Sequence, residues 1–162
     1  MSKILLLGGP PGVSKTSALK ILPSYLPKCA IFDADDVWRT YPRDKDPTNR
    51  ARNIKVVNKV IQCHLESKHT PLVFAWVLAN PLLVAEIIEG SAYKADSIQR
   101  LYLVADAGEL KKRLEARSET TEIIEFALGK LDEINQLNQA KLDTTYLSQK
   151  EVAEFIAGSV NS

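Results

Sequence analysis

The residues best suited to chemistry follow the apolar residues 4–7 and read Gly8-Gly9-Pro10-Pro11-Gly12-Val13-Ser14-Lys15-Thr16-Ser17. Residues 9–16 match the phosphate-binding pattern G-x-x-x-x-G-K-[ST] except at Ser14. Glycines let backbone N–H groups turn toward an anion, and a helix starting near Lys15 would add the positive end of its dipole. A lysine here can reach nucleotide phosphates, and a threonine hydroxyl can hold Mg²⁺. We therefore predict that residues 9–17 bind the phosphates of a nucleotide.

Ser14 departs from the pattern because it stands where the second glycine is expected. Its side chain lies where backbone normally approaches phosphate, but serine is small, so we interpret the change as tolerated. The alternative is an ordinary strand–turn–helix connection that happens to be rich in glycine. The order Pro-Pro-Gly followed by Ser-Lys-Thr, between an apolar segment and a helix, favours the phosphate site.

A second group of candidate residues is acidic and follows the next apolar segment, residues 29–32. Asp33, Asp35 and Asp36 lie within four positions of one another. Carboxylates at a strand end can hold a metal-bound water or accept the proton of an attacking hydroxyl. The alternative is an acidic cap at the start of a helix, which the helix dipole favours. Beside a phosphate loop, we favour the chemical role.

Strands and helices are expected to alternate along the whole chain. We predict strands at residues 3–7, 29–32, 72–77, 98–104 and 141–146, and helices at 15–22, 49–67, 81–90, 106–117, 122–139 and 148–158. This order predicts a three-layer α/β fold, with a parallel five-stranded sheet and helices on both faces. Ligands bind beyond the carboxyl ends of such strands, where both groups of candidate residues lie.

Length and composition are typical of one globular domain spanning residues 1–162. The chain is 45% apolar and 25% charged, with a net charge of +1. This charge gives no basic field to attract nucleic acid, and no apolar segment approaches the roughly 20 residues that span a bilayer. The first strand begins too early to leave room for a signal sequence. Cys29 and Cys63 are expected to be free thiols. We expect a cytoplasmic monomer or homodimer that does not bind membranes, and the near-neutral charge disfavours nucleic acid as a partner.

Three features together resemble the small P-loop kinases: the loop at residues 9–16, the step Asp33-Ala34-Asp35, and the pair Arg113 and Arg117. This group includes shikimate and gluconate kinases, adenylylsulfate kinase, chloramphenicol phosphotransferase and the zeta-type toxins. The similarity in order and length covers essentially the whole chain. It implies a P-loop NTPase fold of the nucleoside-monophosphate-kinase type, with ATP and Mg²⁺ as cofactors. It also implies transfer of the γ-phosphoryl group to a hydroxyl of a small molecule.

The same resemblance implies roles for individual residues. Lys15 and the loop would hold the donor phosphates, Thr16 would bind Mg²⁺ directly, and Asp33 would hold the metal or its water. Asp33 and Asp35 would share the roles of base and acceptor ligand, which sequence does not divide between them. Arg113 would stack on adenine and Arg117 would contact the transferred phosphate. The alternative for both arginines is that they lie on the solvent-exposed face of an amphipathic helix and bind no ligand. Residues 118–121 are short for a lid.

The acceptor side is less clear from the sequence. Four arginines, Arg39, Arg43, Arg50 and Arg52, surround the loop after the second strand, where they could bind an anion or be ordinary surface charge. Trp38 and Trp76 could form walls for an aromatic or sugar-like acceptor, or belong to the core. His64 and His69 receive no role. Two other functions remain open: a nucleotide-binding or hydrolysing switch without an acceptor, and phosphorylation of nucleic-acid ends, which the near-neutral charge disfavours.

Overall fold

Five parallel strands form the central sheet of the computed structural model, which describes residues 1–41, 46–67 and 69–161, apart from the side chain of Trp38. The strands are β1 (Lys3–Gly8), β2 (Ala30–Asp33), β3 (Leu72–Ala75), β4 (Ser97–Val104) and β5 (Lys141–Asp143). Their spatial order is β2-β3-β1-β4-β5, and every neighbouring pair is parallel. The predicted five-stranded parallel sheet is therefore confirmed.

The central strands carry apolar side chains on both faces, which is why they lie in the middle of the sheet. Residues 4–7 of β1 are at most 1% exposed, and all four residues of β3 are buried. Leu5 of β1 lies opposite Val73 of β3 on one side and opposite Gln99 of β4 on the other. Such uninterrupted apolar strands are stable only when helices cover both faces of the sheet.

Six α-helices of the described residues surround the sheet: α1 (Lys15–Ile21), α2 (Pro47–Glu66), α3 (Pro81–Gly90), α4 (Ala107–Ala116), α5 (Thr121–Asn135) and α6 (Gln149–Asn161). The predicted caps of α3 and α4 are confirmed. Asn80 accepts a hydrogen bond from the N–H of Leu82 at 2.9 Å, and Asp106 accepts one from Glu109 at 3.1 Å. One-turn 3₁₀ helices follow α1 at Leu22–Ser24 and β2 at Ala34–Trp38. None of the described helices combines the length and apolar character needed to cross a bilayer.

Element ends differ from the sequence predictions at several places. The last helix was predicted to end at Gly158, which is wrong: α6 continues to Asn161 because Val160, only 1% exposed, is anchored in the core. The second helix begins at Pro47, two residues early, because Asp46 caps it through the N–H of Thr48 at 2.8 Å. The last strand stops at Asp143, since the Thr144 hydroxyl donates to the carbonyl of Val104 at 3.0 Å.

Candidate active site

The glycine loop after β1 packs tightly against β4 and α4. Gly12 has a φ of +92°, and a Cβ there would lie 2.7 Å from Leu110 Cδ1 of α4. Gly9 has a φ of +149°, and a Cβ there would lie 2.7 Å from the carbonyl oxygen of Leu103. The N–H of Gly9 also donates to the carbonyl of Val77 at 3.0 Å. These glycines are therefore required by the close approach of neighbouring elements as well as by the turn itself.

Ser14 adopts the left-handed backbone conformation, with φ 72° and ψ 19°. It precedes the first residue of α1, but its side chain makes no capping hydrogen bond. The left-handed conformation costs a non-glycine residue roughly 1 kcal/mol. The loop therefore keeps a glycine-type backbone conformation at the position where the sequence departs from the pattern.

Lys15 turns its ammonium group back into the loop. Its Nζ donates to the carbonyl oxygens of Gly9 at 2.6 Å and Pro10 at 2.8 Å. Burial of the ammonium group lowers the pKa of Lys15 from 10.5 to about 8, although the nearby carboxylates of Asp35 and Asp33 act to raise it. A partly buried cation in this loop attracts a phosphate anion that enters it.

Thr16 and Asp33 place two oxygen ligands next to each other. The Thr16 hydroxyl donates to Asp33 Oδ2 at 3.1 Å, and Asp33 Oδ1 accepts from the N–H of Asp35 at 3.0 Å. Oxygen ligands suit Mg²⁺, which keeps several waters and takes other ligands from phosphates. Among the described residues, no group of three or more His, Cys, Asp or Glu could hold a metal by itself. The arrangement fits Mg²⁺ bound together with a nucleotide.

A cleft of about 170 Å³, which we call the phosphate cleft, brings most of the predicted residues together. Its lining consists of Pro11, Gly12, Ser14, Lys15, Thr16, Ser17, Asp35, Val77 and Arg117. Arg117 reaches it from the C-terminal end of α4. Gly9, Pro10 and Val13 do not line this cleft but lie buried in the loop. Loop residues, Asp35 and Arg117 thus border one cleft, whereas Asp33 is not on its lining, and the roles of these residues stay predictions.

Arg113 does not line the phosphate cleft. Its Nε donates to Glu109 at 3.1 Å, and its two terminal nitrogens donate to the hydroxyl and carbonyl of Thr144, at 3.2 and 2.8 Å, and to the carbonyl of Thr145, at 3.0 Å. These contacts join α4 to the segment that follows β5. Stacking of Arg113 on adenine stays a prediction.

A second and larger cleft, of about 390 Å³, adjoins the first and is called here the acceptor cleft. It is lined by Asp35, Asp46, Pro47, Asn49, Arg50, Trp76, Val77, Leu78, Ala79, Asn80, Leu83, Phe126 and Lys130. Asp35 and Val77 line both clefts. No role was predicted from the sequence for Leu83, Phe126 or Lys130. Helix periodicity indicates which face of a helix is buried, but not which cavity a residue borders.

The remaining residues that the sequence suggested for the acceptor side lie at different places in the structure. Arg50 and Trp76 line the acceptor cleft. Arg39 instead pairs with Asp36 at 2.7 Å, and both side chains are largely exposed. Arg52 is exposed on α2. Arg43 and the side chain of Trp38 lie outside the described part of the chain.

Comparisons with known proteins show which solved structures share this fold. The sequence matches no model of a protein family, and no curated protein is significantly similar to it. Among solved structures, the tunicamycin resistance protein of Deinococcus radiodurans is 22% identical, with a TM-score of 0.77 over 99% of this chain and 96% of that one. The APS kinase of Mycobacterium tuberculosis, in complex with AMPPNP and APS, is 15% identical, with a TM-score of 0.73 over 99% and 98%. A gluconokinase of Sinorhizobium meliloti is 12% identical, with a TM-score of 0.71 over 98% and 91%.

These similarities define the class of fold. The chain has the P-loop NTPase fold in its nucleoside-monophosphate-kinase-like form, with the sheet and helices in the expected order. The predicted resemblance to the small P-loop kinases is confirmed, because a gluconokinase and an APS kinase are among the structural neighbours. At such low identity, the similarity establishes the fold, and function must be argued from the site.

Proposed function

We propose that the protein is an ATP- and Mg²⁺-dependent kinase that transfers the γ-phosphoryl group to a hydroxyl of a small molecule. The observation that carries this proposal is the meeting of two clefts at Asp35 and Val77. One cleft has the lysine, hydroxyl and loop of a phosphate site, and the other has the size of a small-molecule site. Phosphoryl transfer requires this adjacency, because donor phosphate and acceptor hydroxyl must approach in line.

The residues of the phosphate cleft would bind and orient the donor. Lys15 and the N–H groups of residues 9–17 hold the β- and γ-phosphates, and Arg117 contacts the phosphoryl group in transfer. Thr16 and Asp33 would hold Mg²⁺, which would supply positive charge to neutralise the phosphates. The acceptor oxygen bonds to the γ-phosphorus as the bond to the bridging oxygen of ADP breaks. No covalent intermediate with the protein is required.

We assign different tasks to the two carboxylates. Asp33 already engages the hydroxyl of Thr16 and the N–H of Asp35, which suits the metal side. Asp35 borders both clefts, so it accepts the proton that the acceptor hydroxyl loses. Arg113, fixed against Thr144 and Thr145, would present its guanidinium plane to the adenine ring.

The structural neighbours support a small-molecule acceptor. The APS kinase structure contains both a nucleotide analogue and APS, and another neighbour is named a gluconokinase. Their acceptors differ from each other, so the comparison supports the reaction class and leaves the acceptor to be found from the second cleft.

The test is release of ADP from ATP with and without a panel of sugars, nucleosides and hydroxyl-bearing antibiotics. We expect one acceptor class to stimulate release, and Lys15→Ala to lower that rate by about 10³-fold while the protein stays folded by circular dichroism. Lys20→Ala, an exposed lysine of α1, is the matched control and keeps the rate. Asp33→Asn should raise the Mg²⁺ requirement, whereas Asp35→Asn should lower kcat. Lys15→Ala at the normal rate would contradict the proposal.

A nucleotide-hydrolysing switch without an acceptor is the second candidate. The connection between α4 and α5 favours it, because only residues 117–120 separate these helices and leave little chain for a closing lid. A kinase needs closure to exclude water from the phosphoryl group. ADP release that no acceptor stimulates, but that Lys15→Ala abolishes, would select the switch.

A further inference from the structure

The acceptor cleft is largely apolar, although phosphoryl acceptors are hydroxyl compounds. Seven of its thirteen lining residues are apolar: Pro47, Trp76, Val77, Leu78, Ala79, Leu83 and Phe126. Its volume of about 390 Å³ lies in the range of sites that enclose a small organic ligand. A purely polar polyol would leave much of this wall facing its hydroxyls, with no gain from the apolar surface.

Phe126 is the most informative residue of this wall. Most apolar positions of α5 are buried, including Ile124, Ala127, Leu131 and Ile134, whereas Phe126 is 49% exposed. Lys130 Nζ lies 5.6 Å from the centroid of its ring. An exposed ring that lines a concave cleft gains free energy when an apolar group covers it.

The charges that line the cleft balance among the described residues. Asp35 and Asp46 oppose Arg50 and Lys130. Asp46 also caps α2 through Thr48, and Lys130 also donates to both carboxylate oxygens of Glu133 at 2.9 and 3.0 Å. The described wall thus has no excess of cations that would select a carboxylate or sulfate acceptor.

We propose that the acceptor is an uncharged compound in which an apolar ring is joined to a hydroxyl-bearing part, as in an aryl glycoside or a nucleoside. The ring packs against Phe126, Leu83 and Trp76, and the hydroxyl lies at Asp35, where the two clefts meet. This inference rests on the proposed function, because it names the compound that the same site phosphorylates.

Binding of matched probes tests the inference independently of turnover. Phenyl β-D-glucoside, methyl β-D-glucoside and D-gluconate are titrated into the protein loaded with Mg²⁺ and a non-hydrolysable ATP analogue, with detection by calorimetry. We expect the phenyl compound to bind with a dissociation constant of about 1 mM or tighter, and at least about 10-fold more tightly than the methyl compound.

Two variants, one on α5 and one on α6, locate the effect. Phe126→Ala should weaken binding of the phenyl glucoside about 10-fold and leave the methyl glucoside unchanged. Phe155→Ala removes a ring of similar exposure, 46%, which lines neither cleft, and should change nothing. Because both rings are half exposed, both variants are expected to fold.

Three outcomes overturn the inference: equal binding of the phenyl and methyl compounds, tighter binding of gluconate than of either, or no binding of the phenyl compound at about 10 mM. Titration of the ATP analogue alone tests the proposed function separately. If wild type binds it and Lys15→Ala does not, the proposed function survives even when the ring preference is absent. Conversely, if the wild-type protein binds no nucleotide but still binds the phenyl compound more tightly than the methyl compound, the proposed kinase function is refuted and the apolar binding site is retained.

Discussion

The phosphate cleft and the acceptor cleft meet at Asp35 and Val77 but are built in different ways. Six of the nine described residues that line the phosphate cleft lie between positions 11 and 17, where only Val13 is missing from the lining. The other three are Asp35, Val77 and Arg117. The acceptor cleft collects side chains from the 3₁₀ helix after β2, the start of α2, the segment between β3 and α3, α3 itself, and α5. The phosphate cleft is formed mainly by the backbone of one loop, whereas the acceptor cleft is formed by side chains of several elements.

This difference determines what each cleft tolerates. Backbone N–H groups bind phosphate whatever side chains surround them, provided that the chain follows the required path. The loop must therefore keep its conformation, while its side chains other than those of Lys15 and Thr16 vary more freely. A wall of side chains behaves in the opposite way, because each substitution changes the compound that fits. We therefore expect changes in the phosphate loop to affect stability and all substrates, and changes in the acceptor cleft to affect one substrate at a time.

The largest effect is expected from a methyl group added to the loop at Gly12. Gly12→Ala would place a Cβ 2.7 Å from Leu110 Cδ1 and 3.0 Å from Leu114 Cδ2, at a φ of +92°. Both leucines are at most 1% exposed and belong to the core, so neither moves without cost. We expect a loss of about 3 kcal/mol in the free energy of unfolding, measured by urea denaturation.

Gly129→Ala is the matched control for this prediction. Gly129 lies inside α5, and no atom lies within 4 Å of the Cβ that would be added. Alanine should therefore stabilise the helix by about 1 kcal/mol. If both glycine variants changed stability alike, the loop would not depend on its backbone path, and the contrast between the two clefts would fail.

The same contrast explains how much of the molecule the sequence could predict. The order of residues 9–16 predicted the phosphate loop, and the Asp33-Ala34-Asp35 step predicted a carboxylate near Thr16, which is Asp33. Both predictions were possible because the two segments lie at strand ends whose arrangement the fold fixes. The cap at Asn80 was equally local, since its hydrogen bond spans only two residues. Interactions that are local in sequence, or fixed by sheet order, leave a readable pattern.

The acceptor cleft left no such pattern. Phe126 and Leu83 lie on different helices, 43 positions apart, and only the tertiary packing brings both to one cavity. Arg113 shows the same limit. Its distance of four residues from Arg117 predicted a shared helix face, but its guanidinium is engaged by Thr144 and Thr145, more than 30 residues away. The predicted end of the last helix was also wrong, because the buried side chain of Val160 keeps the chain helical beyond Gly158.

A smaller effect is expected from the protonation of Lys15. Its pKa is about 8 in the nucleotide-free protein, so the ammonium group loses its proton as the pH rises through about 8. Affinity for ATP should then fall by up to about 10-fold per pH unit, because the attraction between ammonium and phosphate is lost. Calorimetry in buffers of different ionisation enthalpy should also detect proton uptake on binding near pH 8.

The stability of the nucleotide-free protein should change in the opposite direction. Because folding lowers the pKa of Lys15 from 10.5 to about 8, the unfolded chain holds more protons between these pH values, and this lysine makes stability rise with pH there. Lys15→Arg keeps its charge throughout and should remove both dependences. Equal slopes of affinity against pH in Lys15→Arg and wild type would show that another group titrates.

The smallest effect is expected at Ser14, where loop conformation and side chain can be separated. Ser14→Gly relieves a φ of 72° without removing a capping hydrogen bond, because the serine makes none. Glycine gains freedom in the unfolded chain, which offsets part of this relief, so we expect the free energy of unfolding to rise by only about 0.5 kcal/mol. Ser14→Ala keeps the strained conformation and should leave stability unchanged.

Nucleotide affinity of these two variants then shows which part of Ser14 matters to the loop. If the backbone defines the phosphate cleft, Ser14→Gly and Ser14→Ala should both bind ATP within about 2-fold of wild type, a difference below about 0.5 kcal/mol. A marked loss in both variants would mean that the serine hydroxyl, which lies on the cleft lining, takes part in binding. In that case the phosphate cleft would depend on the side chain of Ser14 in addition to those of Lys15 and Thr16, and its contrast with the acceptor cleft would be one of degree.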